Sequence, residues 1–240
     1  MDKQKKSERL EKIKEENKRY EKETPYNFCD RWCERCAHEK QKSCKLYQDE
    51  FEQKLTCIAY GKEPNDPEIT MEVMKKQHEG LEKIFEDHEE ELDIDFNEID
   101  DPEFKKIKEH MDFVESNPLQ VTAERYLDKA HEFLEAVFYK NTGLEHELTY
   151  DLETISWYHT LLPVKLNRAL AGFHEPACEG DISLCDAVAQ FEICKKAIDE
   201  SSKAFKKIKQ HFPSRHAQIS EFIAILSNMR SRIELLEKTI

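Results

Sequence analysis

The chain has 240 residues and a formal net charge of −14, with 37% of its residues charged. An acidic surface of this kind disfavours a general nucleic-acid binder, because contacts to phosphate need cations. Only 5 glycines and 8 prolines punctuate it, which argues for few, long elements, and a hydrophobic share of 38% suits amphipathic helices with a wide charged face.

No apolar run reaches the length of a membrane span, and residues 1–23 lack the apolar segment of a secretory signal. The expectation is a cytoplasmic protein without membrane contact. In that compartment a tight cysteine cluster is more often a metal or redox site than a set of disulfides.

In chain order, residues 1–24 read as a charged helix or solvated arm, 25–60 as a cysteine-rich metal-binding module, 61–68 as a linker, and 69–240 as a helical bundle. Two prolines, Gly61 and Asn65-Asp66 mark the linker. A helix over 69–92 carries Met74, His78, Leu81, Phe85, His88 and Leu92 at spacings of three and four. Residues 86–103 hold 11 acids and no Lys or Arg, a candidate surface for a protein partner. A short helix over 102–116 should turn Phe104, Ile107, Met111 and Val114 inward. Pro118 starts the next, with Tyr126, Leu127, Ala130, Leu134, Val137 and Phe138 inward. Over 150–172 the inward face holds Leu152, Ile155, His159, Leu162, Leu166 and Ala169; Pro163 should kink this helix and Gly172 should end it. Asp181 should cap a long helix with Leu184, Val188, Phe191, Cys194, Ile198, Phe205 and Ile208 inward. Pro213 ends that helix, and the last one, 214–238, turns Ile219, Phe222, Leu226, Met229, Ile233 and Leu236 inward. The fold class is therefore all-α: an antiparallel helical bundle with a small N-terminal four-cysteine helical hairpin.

Cys29, Cys33 and Cys36 stand at i, i+4 and i+7, which is one face if the segment is helical. Ser43 would cap the next helix, with Cys44 its first residue, where the helix dipole favours a thiolate. Four thiolates at the corner of a helical hairpin can form a closed tetrahedral site, so Cys29, Cys33, Cys36 and Cys44 are the candidate metal ligands. Zinc is the first candidate, and a [4Fe–4S] cluster is the rival. The C-x3-C-x2-C spacing is also that of radical-SAM enzymes, but the barrel those enzymes need has no counterpart here. Cys57, 13 residues after Cys44, should face elsewhere, and His38 is a reserve ligand. Trp32 and Phe28 should dock the module on the bundle.

The stretch "NFCDRWCERC" with its later Cys44, the stretch "WYHTLLPVKLNRAL" at 157–170, and a long helix before the C-terminus resemble a family of uncharacterised bacterial helical-bundle proteins. The resemblance implies a cysteine module on a helical body and brings no activity. Cys185 and Cys194 depart from the family's pattern in that long helix, so they are not expected to be shared functional residues.

Other patterns are weaker. Residues 93–104 resemble a calcium loop at Asp93, Asp95 and Asn97, but Glu98 and Phe104 stand where Gly and Glu are required. A bundle di-metal site wants two Glu-x-x-His motifs, and only Asp128-x-x-His131 comes close. Arg168 and His174 have the spacing of HEPN-type ribonucleases. Cys178 lies among acids that would suppress its thiolate. No nucleophile pairs with a base, so enzymatic activity is left open. The expected function is a structural-zinc protein with an interaction or scaffold role; the alternatives are an iron–sulfur redox protein on the same thiols and, third, a helical-bundle metalloenzyme with a His/Glu site.

Overall fold

A computed structural model describes residues 3–64, 66–69, 71, 72, 75, 102–140, 146–175 and 182–240. The helix expected over 69–92, the acidic stretch 86–101, the calcium-like loop, Cys178 and the Asp181 cap lie almost wholly outside the described residues. Every described element is helical: α1 (Lys3–Glu23), α2 (His38–Ser43), α3 (Lys45–Ala59), α4 (Pro102–Glu115), α5 (Pro118–Val137), α6 (His146–His174), α7 (Ile182–Ile208) and α8 (His216–Glu237), with short 3-10 turns between some of them. The chain forms two compact units, residues 1–32 with 106–240, and residues 33–105.

In the larger unit, α6 packs against α5 and α7, and α8 packs against α7 and α5. Asn117 caps α5, its side-chain oxygen accepting the Leu119 N–H at 2.9 Å, and Pro118 fills the position where a missing N–H costs nothing. The centre is aromatic. Phe205 and Phe222 meet at 5.0 Å between ring centroids, and Phe133 meets Phe222 edge-on at 5.8 Å. All six inward residues expected of α6 are buried, from Leu152 to Ala169.

Three expectations need correction here. Gly172 does not end α6, which runs on to His174. A Cβ at Gly172 would lie 2.6 Å from the Ser183 carbonyl oxygen, so glycine stands there to let α6 and α7 approach closely. Ile107 and Met111 on α4 are 57% and 55% exposed, not inward. That helix meets the bundle near its C-terminal end, where Val114 is buried, His110 Nε2 lies 3.1 Å from the Ala171 carbonyl oxygen and Phe113 packs on His174. Residues 1–24 are also more than a solvated arm. α1 packs on α7, burying Ile13 against Val188 and Ile240, and Asn17 donates to the Cys185 carbonyl at 2.8 Å. Two apolar residues suffice for α1 because α7 and the C-terminus supply the rest of that small core.

The described residues of the smaller unit bury Cys44, Cys57 and Ile69. α2 packs on α3, and the Gln48 side-chain amide donates to the Lys42 carbonyl at 2.8 Å.

Candidate functional site

The backbone around the cysteines is not the helix that their spacing suggests. Residues 28–32 are irregular, Cys33–Arg35 make one 3-10 turn, and Arg31 is left-handed at φ 53°. Local polar residues compete with helix formation here: the Asp30 carboxylate lies 3.4 Å from the Trp32 N–H, and the Gln41 amide donates to the Cys33 carbonyl at 2.8 Å. Ser43 is the last residue of α2 rather than a cap, and Cys44 itself is the extended junction from which α3 starts. Cys29 belongs to the larger unit, its sulfur 3.8 Å from the Tyr26 carbonyl oxygen; Cys33, Cys36 and Cys44 belong to the smaller. Among the described residues no three His, Cys, Asp or Glu side chains converge closely enough to hold a metal.

In the larger unit, the strap 24–32 is pinned onto α6 and α7. The Asp30 carboxylate accepts from the Tyr158 hydroxyl at 2.6 Å and from the Lys196 ammonium at 2.7 Å, and the Asp30 carbonyl accepts from the Trp157 indole N–H at 3.0 Å. Trp32 stacks on Trp157 at 5.3 Å and meets the Tyr158 ring edge-on at 5.7 Å. The Gln190 amide adds a bond to the Asn27 carbonyl at 3.1 Å. Trp32 thus docks the strap, as its place among the cysteines suggests. Asp30, between Cys29 and Arg31, is the anchor that the sequence reading passed over.

Burial raises the Asp30 carboxyl, but the hydrogen bonds from Lys196 and Tyr158, the Lys196 charge and the Trp32 N–H outweigh it, and the net shift is downward. A lowered carboxyl stabilises the fold above its unfolded value near 3.8, and the contribution fades as pH falls through the folded value. Asp30→Ala should cost about 2–3 kcal/mol at neutral pH, through the loss of a charge-assisted hydrogen-bond set. The difference from wild type in urea unfolding should shrink below pH 4; a constant difference down to pH 2 would rule this origin out.

Beside the strap lies a cationic seam. Lys165 on α6 is 5% exposed. Burial, then Arg31 and Arg168, hold its ammonium below its ordinary range, while the Cys29 sulfur and Asp186 pull the other way. Arg168 is occupied: it grips both Asp186 oxygens at 2.7 Å, and Asp186 also accepts from Gln190 at 3.0 Å. Lys165 follows Leu162 by three residues and precedes Ala169 by four, so it lies on the inward face of α6. That position was the available signal.

The remaining candidates scatter. His159 is buried, its Nδ1 donating to the Ser156 carbonyl at 2.7 Å while Nε2 has no hydrogen-bond partner among the described residues. Its ring stacks on that of His131 at 5.7 Å, and burial together with His131 lowers its proton affinity. His131 Nε2 lies 3.9 Å from Glu135. Arg168 turns to Asp186 while the His174 ring packs against Phe113 and Phe173. Cys194 is fully buried, and burial pushes its thiol well up, as befits a small apolar core residue. Cys57 is fully buried too.

Compared with family models, curated proteins and solved structures, the chain gives no match. No helix among the described residues is long and apolar enough to cross a membrane.

Proposed function

We propose that the protein is a metal-stapled interaction protein. Four thiolates, from Cys29, Cys33, Cys36 and Cys44, take one structural zinc ion, and the antiparallel helical body is the platform that carries the module. What supports this reading is the cysteine set itself: Cys29, Cys33, Cys36 and Cys44 are free thiols close together in the sequence, and four thiolates are a closed donor set for a structural zinc ion. A structural metal would supply a cross-link whose binding energy is folding energy. The irregular backbone at 28–32 and at 36–37 supports the same reading, since there is no regular helix there for a metal to break in drawing the sulfurs together.

The interaction role rests on α3. Phe51, Leu55 and Ile58 stand at spacings of four and three on that helix and are exposed, with Tyr47 stacked on Phe51 at 6.3 Å. An exposed apolar stripe on a charged protein is a contact surface. The acidic stretch 86–103 complements it as a surface for a basic partner. An all-thiolate donor set with C-x3-C-x2-C spacing also suits an iron–sulfur cluster, the second reading.

Anaerobic purification followed by metal analysis separates them. The expected result is about one zinc per chain and a colourless protein. A brown protein with about four irons would select the cluster. A Cys33→Ser variant with unaltered metal content and stability would dispose of both.

A further inference from the structure

His159 is a buried base with no acceptor for a second proton. It is 1% exposed on the inward face of α6. A carbonyl can only accept, so the nitrogen 2.7 Å from the Ser156 carbonyl oxygen, Nδ1, carries the proton of the neutral ring. The other nitrogen, Nε2, is buried with no hydrogen-bond partner among the described residues. The ring stacks on that of His131, on α5, at 5.7 Å between centroids and 20° from parallel. The His131 side chain is 50% exposed, lies 3.9 Å from the Glu135 carboxylate and packs on the Tyr139 ring at 5.7 Å. The Tyr139 hydroxyl closes the cluster at 3.0 Å from the Ser156 hydroxyl. The end of α5 is thus fastened to α6 through rings and hydroxyls. α6 also packs on α7, whose Lys196 and Lys207 reach towards it but are taken by Asp30 and Asp151. Among the described residues the charge that acts on the His159 ring is that of His131.

We infer that the His131–His159 stack is an acid-sensitive latch, and that protonation of His159 frees the last turn of α5 from α6. A proton added to His159 goes to Nε2. It creates an N–H without an acceptor and a positive charge in a desolvated position. When His131 is charged as well, two like charges face each other across the stack. Parting the rings relieves both, because water then reaches Nε2; the Tyr139–Ser156 contact breaks with them. Burial and His131 hold the proton affinity of His159 below its ordinary value. Between the unfolded value near 6.5 and the lower folded one, the opened state binds more protons than the closed state. The latch's contribution is therefore full above 6.5 and is lost as pH falls from there to the folded value. It does not depend on the cysteines or on any metal they hold.

The test uses the full chain, with amide hydrogen exchange read at pH 7.5 and 5.5 and corrected for the intrinsic exchange rate. In wild type the opening constants of the amides of 135–139 should rise about tenfold between those values, the linkage of one proton. Those of 222–233 in α8 should rise less. His159→Phe keeps a ring of similar size without a basic nitrogen, and its rise should fall below about twofold. His131→Phe keeps a stacked ring without a charge and should show a smaller rise than wild type. His174→Phe, at another histidine whose proton affinity burial lowers, should keep the wild-type rise. In folded wild type the His159 C2–H resonance should titrate below 6.5, a measurement that needs no variant. A wild-type rise that survives in His159→Phe would overturn the inference. So would a rise abolished by His174→Phe, a rise equal in α5 and α8, or a His159 ring that titrates at 6.5 or above while 135–139 stay protected.

Discussion

If the protein carries the structural zinc proposed above, treatment with a strong chelator is expected to unfold α2 and α3 while α5 to α8 keep their structure. The two units differ in what holds them. α5 to α8 enclose an aromatic and aliphatic core, with Tyr126, Phe133, Phe191, Phe205 and Phe222 fully buried. α3 is a 15-residue helix, a length that is marginal in water without packing. Among the described residues its packing partner is α2, six residues long, and its apolar stripe of Phe51, Leu55 and Ile58 is exposed. Structural zinc contributes about 10–16 kcal/mol in small zinc-dependent folds, enough to decide whether a short helical module folds. Hydrogen exchange should show the amides of 45–59 losing protection on chelation while those of 118–137 and 182–208 keep theirs. Protection at 45–59 that survives complete metal removal would sink the stapling reading, whatever the metal content.

The four long helices of the bundle are legible because each buries one face continuously. α6, α7 and α8 follow the 3.6-residue period closely enough that their stripes, from Leu152 to Ala169, Val188 to Ile208 and Ile219 to Ile233, are buried as expected. The period fails where a helix touches the body at one end. α4 has the same spacing of apolar residues, yet Ile107 and Met111 are exposed, and its contacts to the bundle come through His110, Phe113 and Val114. A periodic pattern states which face is apolar and not whether anything covers it.

The site was less legible, for a similar reason. The spacing of Cys29, Cys33 and Cys36 gives one face only if the segment is helical, and the segment 28–37 spends its hydrogen bonds on Asp30, Gln41 and a left-handed Arg31 instead. The residues that fix the strap, Asp30, Tyr158 and Lys196, come from three places in the chain and share no motif. Lys165 was visible as a charge on an apolar stripe, and it is 5% exposed there. Gly172 misled for a related cause: within one helix it reads as a stop, and only the second helix against Ser183 explains it.

Glu237→Ala is expected to cost about 3–5 kcal/mol, the usual penalty for breaking a buried ion pair by removing one partner. The side chains of Lys195 and Glu237 are 10% and 7% exposed, and both Glu237 oxygens accept from the ammonium. Removing the carboxylate leaves Lys195 with Glu192, whose side chain is about half exposed, so the cost should lie toward the lower end of that range. On the scale of about 2–4 °C per kcal/mol for a chain of this size, the melting temperature should fall by roughly 10 °C. The loss should reach the termini, because the pair joins α7 to the end of α8. Lys14 of α1 reaches the same Glu192 at 3.4 Å, and Ile240 packs with Ile13. The double variant Lys195→Met, Glu237→Leu removes both charges and should recover most of the stability, since an apolar pair of similar volume replaces a buried ion pair at little cost. If the single variant melts with wild type, the pair is solvated and contributes nothing. If the double variant is as unstable as the single, packing rather than the orphaned charge explains the loss.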